Sequence, residues 1–224
     1  MQNRGMTNPE YRHIIMIVDR SGSMQSCRAA TEEGINGLFA GQAEDHGDGG
    51  WATASLYQFD TEHDVVFANV PLGDVPPYRL VPRGGTALLD AIGFAFSREG
   101  EWLATLAEHE RPGTVIAVIA TDGMENSSRR YRRPQIQEMI KHQQDAYSWQ
   151  VLFIGANMDA VQVATSYGIP AQQAMTFRAS PAGASSSLGS IHSAMSRGRR
   201  GEGYGFTAAE RVAALNDGDG NTGV

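Results

Sequence analysis

Short runs of apolar residues, each closed by a polar turn, recur along this chain. Three of them are continuous and rich in β-branched side chains, which predicts strands buried on both faces: residues 13–18, 114–121 and 150–154. Further strands are predicted over residues 52–59, 63–70 and 174–178. The first two of these are separated only by a short polar turn, so they must form an antiparallel hairpin.

Amphipathic segments lie between the strands and predict helices. Residues 26–45 place Ala30, Ile35, Leu38 and Phe39 on one apolar stripe, and the glycine-rich residues 47–50 are expected to end that helix. Other helices are predicted over residues 87–96, 101–110, 134–146 and 159–167. The break before residue 101 is predicted from Gly100, and Pro134 is suited to the first turn of its helix.

The order of these elements predicts the fold class. A β-α-ββ-α-β-α-β-α-β order is typical of an α/β protein with a doubly wound, mostly parallel six-stranded sheet. One edge strand is antiparallel, and helices cover both faces. Ligands of such sheets bind at the carboxyl ends of the strands, where the strand order reverses.

Polar loops at that edge of the sheet supply five short oxygen donors, which are Asp19, Ser21, Ser23, Thr86 and Asp122. Mg²⁺ and Mn²⁺ are hard cations that prefer about six oxygen ligands. Two carboxylates and three hydroxyls leave such an ion electron-poor, with one exchangeable position. The preferred outside ligand is then a carboxylate from another protein. The alternative interpretation is that these residues only form turns and helix caps.

Three motifs carry a family resemblance: Asp19-Arg-Ser-Gly-Ser-Met24, Gly84-Gly-Thr-Ala87 and Thr121-Asp-Gly123. They resemble the loops of the metal-ion-dependent adhesion site (MIDAS) in von Willebrand factor type A (VWA) domains, most closely the small intracellular bacterial or phage members. The resemblance implies a Rossmann-like VWA fold, a bound divalent ion and metal-dependent protein binding. By position, the five donors match the five metal ligands of the family.

The resemblance covers residues 11–179, and composition divides the rest, so that the chain has four parts. Residues 1–10 are an N-terminal extension and residues 11–179 the VWA domain. Residues 180–217 form an Ala/Ser/Arg-rich extension in which short helices are predicted, and residues 218–224 are expected to be a disordered tail.

Composition narrows the functional classes. The 224 residues carry a net charge of −7, which disfavours nucleic acid and anionic membranes as partners. Apolar runs are too short for a membrane helix, and the single cysteine, Cys27, excludes an intramolecular disulfide. A cytoplasmic location is therefore expected. The single lysine, Lys141, is not part of a phosphate-binding loop, which argues against a nucleotidase.

The sequence thus favours a non-enzymatic module that binds a protein through a divalent metal. One alternative is an adaptor subunit of a metal-chelatase or AAA+-type ATPase machine, and a less favoured one is a metal-dependent hydrolase. The nearby basic cluster of Arg129, Arg130, Arg132 and Arg133 is either a rim that attracts an acidic partner or RNA, or a solvated loop with local carboxylate partners. The oligomeric state is not indicated.

Overall fold

A computed structural model describes residues 7–45 and 51–216 of the chain. The strands are β1 (Asn8–Asp19), β2 (Trp51–Phe59), β3 (His63–Pro71), β4 (Pro112–Thr121), β5 (Gln150–Ala156) and β6 (Ala174–Phe177). The helices are α1 (Arg28–Glu44), α2 (Leu88–Thr105), α3 (Arg133–Tyr147), α4 (Ala160–Ser166), α5 (Pro181–Arg199) and α6 (Ala208–Leu215).

All six strands belong to one sheet with the order β3-β2-β1-β4-β5-β6. Only β3 is antiparallel, so the predicted doubly wound sheet with one antiparallel edge strand is confirmed. The strand order reverses between β1 and β4, which are neighbours in the sheet. Val18 of β1 pairs with Ala120 of β4 on one side and with Gln58 of β2 on the other. The carboxyl ends of β1 and β4 therefore meet at the switch point where ligands of such sheets bind.

The core has two layers because successive side chains of a strand point to opposite faces. On β1, Met16 and Val18 pack in the layer that contains α1 and α5. Ile15 and Ile17 pack in the layer that contains α2 and α3. Both faces of the central strand are buried, as its continuous apolar run predicts.

Two predicted helix boundaries are wrong. Helix α2 runs without a break from Leu88 to Thr105, through Gly100, and residues 108–110 form only a single 3₁₀ turn. A mid-helix glycine costs only about 1 kcal/mol. The burial of Glu99 and Leu103 on either side of Gly100 outweighs that cost. The first helix also starts later than predicted, since residues 22–27 form a 3₁₀ turn before α1 begins at Arg28.

The C-terminal segment contains a longer helix than the sequence predicts. Helix α5 has 19 residues and packs on α1. Its buried side chains, including Leu188, Ile191 and Met195, belong to the same hydrophobic cluster as one face of the sheet. Composition obscured this helix because six glycines and serines dilute its apolar stripe between residues 183 and 190. The division into domains at residue 179 stays a prediction.

The ends of the chain are only partly described. Strand β1 begins at Asn8, inside the predicted N-terminal extension of residues 1–10. The predicted helix end at residues 47–50 and the predicted tail at residues 218–224 lie outside the described residues. None of the helices in the described part of the chain has the length and apolar character needed to span a bilayer.

Candidate metal centre

The first loop of the site starts where β1 ends. Asp19 is the last residue of the strand and is fully buried. The backbone N–H of Ser21 donates to Asp19 Oδ1 at 2.6 Å, which folds the loop back over the carboxylate. The hydroxyl oxygens of Ser21 and Ser23 lie 3.0 Å apart. Three predicted donors are therefore neighbours within one tight turn.

The third loop starts where β4 ends and meets the first. Asp122 is buried, and its Oδ1 accepts a hydrogen bond from the Ser23 hydroxyl at 2.7 Å. Its other oxygen, Oδ2, is buried and has no hydrogen-bond partner among the described residues. A buried carboxylate oxygen without a partner is costly. This oxygen is therefore available as a ligand for a cation at the cluster.

Thr86 brings the second loop to the same point. Its side chain is buried, and a Cβ built on Gly123 would lie 3.1 Å from Thr86 Oγ1 and 3.7 Å from Ser23 Oγ. Gly123 therefore lets these hydroxyls approach the Asp122 loop. The backbone N–H of Thr86 donates to Asn126 Oδ1 at 2.9 Å, which ties the second loop to the third. All five predicted donors thus lie on three adjoining loops at one edge of the sheet.

Burial and mutual repulsion work against charge on the two carboxylates. Burial, together with a smaller effect from the charge of Asp122, raises the pKa of Asp19 to about 6 despite hydrogen bonds from Thr121 and Ser21. Burial also raises the pKa of Asp122. A cation placed between them would favour both ionised forms. The donor set fits a hard divalent ion, since it consists of two carboxylates, hydroxyls and one unpartnered oxygen.

Neither a protein-family model nor a curated protein sequence matches this chain. Solved structures do. A von Willebrand factor type A protein from Catenulispora acidiphila superimposes with a TM-score of 0.53 at 16% identity, over 84% of this chain and 42% of that one. The chain has the von Willebrand factor type A fold. The PilB minor pilin from Streptococcus sanguinis gives a TM-score of 0.58 at 12% identity, over 88% and 63% of the two chains.

A third structural neighbour is proximal thread matrix protein 1 from the mussel byssus, in a structure with a zinc-occupied MIDAS motif. Its TM-score is 0.54 at 14% identity, over 83% of this chain and 46% of that one. This chain spans about half the length of that protein and of the Catenulispora protein. At these identities the likeness establishes the fold alone.

One residue beside the candidate site belongs to a quoted motif but was not predicted to have a role. Thr121 is the last residue of β4, and its hydroxyl donates to Asp19 Oδ2 at 2.5 Å. The same hydroxyl accepts from the backbone N–H of Gly123 at 3.2 Å. Thr121 therefore orients the Asp19 carboxylate and anchors the loop that carries Asp122. Its position directly before Asp122 was the only feature of the sequence that could have indicated this role.

An ion-pair network that the sequence did not reveal holds the first two loops together. Asp60, in the β2–β3 turn, accepts hydrogen bonds from Arg20 Nε at 2.8 Å and from Arg83 Nε at 2.7 Å. Burial alone would raise the pKa of Asp60, but its hydrogen bonds and these two guanidinium charges hold the pKa below its usual value. The backbone N–H of Arg83 also donates to the Arg20 carbonyl at 2.7 Å. No sequence motif marks Asp60 as their common partner.

The loop after Asp122 is fastened to the first turns of α2. Glu125 accepts from the backbone N–H of Leu89 at 2.9 Å, and Asn126 donates its own N–H to the Thr86 carbonyl at 3.0 Å. Neither residue belongs to the five predicted metal ligands. Their contacts show that they position the Thr86 loop.

Proposed function

We propose that this VWA fold is a divalent-metal-dependent protein-binding module. Mg²⁺ or Mn²⁺ would be held by the side chains of Asp19, Ser21, Ser23, Thr86 and Asp122. When bound, the ion supplies positive charge and a coordination position that an outside ligand can fill. A carboxylate of the partner protein is the ligand that best suits that position.

The buried, unpartnered Oδ2 of Asp122 is the observation that carries this proposal. The neighbouring Asp19 carboxylate is also buried, and its oxygens are oriented by Ser21 and Thr121. Holding two desolvated carboxylates close together is unfavourable unless a cation lies near them. The cluster therefore suits metal binding better than it suits the folding of the apo protein.

The geometry of the hydroxyls supports the choice of a protein partner over a reaction. Ser21 and Ser23 contact each other, and Ser23 donates to Asp122. No histidine is hydrogen-bonded to either serine within residues 7–45 and 51–216. We therefore propose no enzymatic activity. The zinc-occupied MIDAS of the byssus protein supports a divalent ion in a VWA fold of this type. The adaptor alternative and the cytoplasmic location stay predictions.

Thermal unfolding with metal tests this function. Mg²⁺ or Mn²⁺ at 100 times its Kd should stabilise the wild type by about 2.7 kcal/mol. For a chain of this size that corresponds to a rise in Tm of roughly 5 to 11 °C. Asp19→Asn and Asp122→Asn should abolish the rise. Asp145→Asn, which changes the exposed partner of Lys141, should leave it intact.

An unchanged Tm in the wild type, together with no calorimetric heat at millimolar Mg²⁺ or Mn²⁺, would exclude the metal site. A rise in Tm that survives both site substitutions would place the metal elsewhere.

A further inference from the structure

Four exposed arginines, Arg129, Arg130, Arg132 and Arg133, follow the Asp122 loop and form what we call the arginine rim. None of their guanidinium groups forms an ion pair with a described carboxylate. One of the two interpretations open from the sequence was a solvated loop with local carboxylate partners. The described residues supply no such partners to these side chains.

Two carboxylates that contact this loop, Asp90 and Glu125, already accept hydrogen bonds from backbone N–H groups. Asp90 accepts the backbone N–H groups of Arg129, Arg130 and Tyr131 at 2.8 to 2.9 Å. Glu125 likewise accepts backbone N–H groups, from Leu89 and the two serines that precede the rim. These contacts fix the path of the loop, but they do not pair the guanidinium groups, so the rim keeps an excess of positive charge.

The rim also lies at the N-terminus of helix α3, where positive charge is unfavourable. Arg132 is the N-cap residue of α3, and Arg133 is its first residue. The N-terminus of a helix carries partial positive charge, so anions are favourable there and cations are not. Helix stability therefore does not explain this placement, whereas an outside anion would interact with both the arginines and the helix terminus.

The rim adjoins the candidate metal centre. Asn126 connects its loop directly to Thr86 through hydrogen bonds in both directions. Met124 lies between Asp122 and the rim and is 66% exposed, which leaves an apolar contact point beside the site. A protein segment that reaches the metal can therefore extend across Met124 onto the rim.

The contacts of Tyr131 favour an acidic protein over RNA. Single-stranded RNA is bound by arginines together with aromatic rings that are free to stack on bases. The Tyr131 ring packs on α2, where a Cβ built on Gly93 would lie 2.5 Å from it, and its hydroxyl lies 3.4 Å from Ser97 Oγ. The aromatic ring that lies between the rim arginines in the chain therefore already packs on α2.

We infer that the arginine rim binds additional acidic side chains of the same segment whose carboxylate completes the metal site. This inference rests on the proposed function. The partner is then a segment in which several acidic residues flank the carboxylate that binds the metal. A segment with a single isolated acidic residue would not meet this description. The rim then contributes selectivity among acidic ligands, while the metal centre is the common anchor.

Labelled ten-residue peptides in a glycine–serine context test the inference by fluorescence anisotropy in MgCl₂ and in EDTA. One peptide has a single glutamate, the second has four, and the third has four glutamines. Wild-type protein should bind the four-glutamate peptide most tightly and only with Mg²⁺. Arg129→Gln/Arg132→Gln should weaken that peptide about threefold to tenfold. It should leave the single-glutamate peptide and the Mg²⁺-induced rise in Tm unchanged.

The matched control is Lys141→Gln/Arg200→Gln, which removes the same charge at exposed residues away from the rim. It should leave the affinity for the four-glutamate peptide close to that of the wild type. If the control loses as much affinity for the four-glutamate peptide as the rim variant does, the effect is one of net charge and the inference is wrong. If the rim variant loses as much affinity for the single-glutamate peptide, the rim does not select among acidic ligands and the inference is also wrong.

Failure of the rim and failure of the metal site are distinguishable. If Mg²⁺ raises the Tm but the wild type binds four glutamates no better than one, the rim inference is wrong and the metal site stands. If Mg²⁺ has no effect, the proposed function itself fails. Tighter, metal-independent binding of a ten-nucleotide single-stranded RNA that the rim substitutions abolish would overturn the inference in favour of RNA.

Discussion

The hydroxyl of Thr121 determines how the Asp19 carboxylate is presented to the site. It donates to Asp19 Oδ2, while the backbone N–H of Ser21 donates to Oδ1. Groups that orient a metal ligand in this way typically contribute 10-fold to 100-fold to metal affinity. We therefore expect Thr121→Val to weaken Mg²⁺ binding by about that factor, measured by calorimetric titration.

The control for this prediction is Thr121→Ser, which keeps the hydroxyl and should bind Mg²⁺ nearly as well as the wild type. If Thr121→Val binds Mg²⁺ with unchanged affinity while remaining folded, the hydroxyl does not orient Asp19 for the metal.

Four of the five candidate ligands could be located from the sequence because they follow strand ends. Asp19 and Asp122 come directly after buried apolar runs, and Thr86 directly follows two glycines. Parallel strands bring such positions together. The supporting residues could not be located in this way. Asp60 joins Arg20 and Arg83 across loops that are 40 and 23 residues apart in the chain, and no local pattern specifies such a pairing.

At the scale of elements, the packing of α1 against α5 depends on glycine. A Cβ built on Gly34 would lie 2.4 Å from Leu188 Cδ1 and 3.0 Å from Leu188 Cβ. Leu188 is buried, so the side chain has little room to move away. We expect Gly34→Ala to destabilise the protein by about 1 to 3 kcal/mol through overpacking, measured by urea unfolding.

Gly37 provides the control on the same helix, since a Cβ there would meet no atom within 4 Å. Gly37→Ala should stabilise the protein by about 0.5 to 1 kcal/mol through helix propensity. Combining Gly34→Ala with Leu188→Ala should cost less than the sum of the two single changes. Equal effects of the two glycine substitutions would show that α5 does not pack closely on α1 in solution.

A buried polar network connects β1, β2 and α2. Glu99 accepts from the Tyr57 hydroxyl at 2.6 Å, and its other oxygen lies 3.0 Å from His13 Nε2. Burial alone would raise the pKa of Glu99, but the hydrogen bonds from His13 and Tyr57 and the charge of His13 hold the pKa below its usual 4.5. The ionised form is therefore the one that stabilises the fold.

A depressed carboxylate pKa contributes stability above the unfolded-state value and loses it as the pH falls through the folded-state value. Glu99→Gln should therefore destabilise the protein by about 3 kcal/mol at pH 7, and the difference from wild type should shrink below pH 4.5. Urea unfolding between pH 7 and about pH 3.5 measures this. Glu101→Gln, at an exposed position of α2, should show little effect at any pH. A difference that grows in acid would contradict the stabilising role of ionised Glu99.

For the whole molecule, the sheet was the part that sequence pattern predicted best. Three of the five parallel strands are continuous apolar runs, and the short turn at residues 60–62 predicted the antiparallel hairpin. Helices were predicted less well, because tertiary packing overrides local signals. Burial around Gly100 continues α2 through a glycine, and contacts with α1 order α5 despite its many small residues.

The burial of α5 predicts where the chain can be shortened. Leu188, Ile191 and Met195 are at most 3% exposed and pack in the core that covers one face of the sheet. Fully burying such side chains contributes about 1.5 to 3 kcal/mol each. Removing three of them therefore costs an amount comparable to the whole stability of a domain, about 5 to 15 kcal/mol.

We therefore expect a chain that ends at residue 179 to lose cooperative unfolding and its near-UV circular dichroism. A chain that ends at residue 217 is the matched control. It keeps α5 and α6 and removes only residues 218–224, whose single apolar side chain is Val224, so its Tm and its response to Mg²⁺ should equal those of the full chain. The opposite result for the shorter chain, cooperative unfolding near the wild-type Tm, would mean that residues 11–179 fold independently and that α5 packs on a core that is already complete.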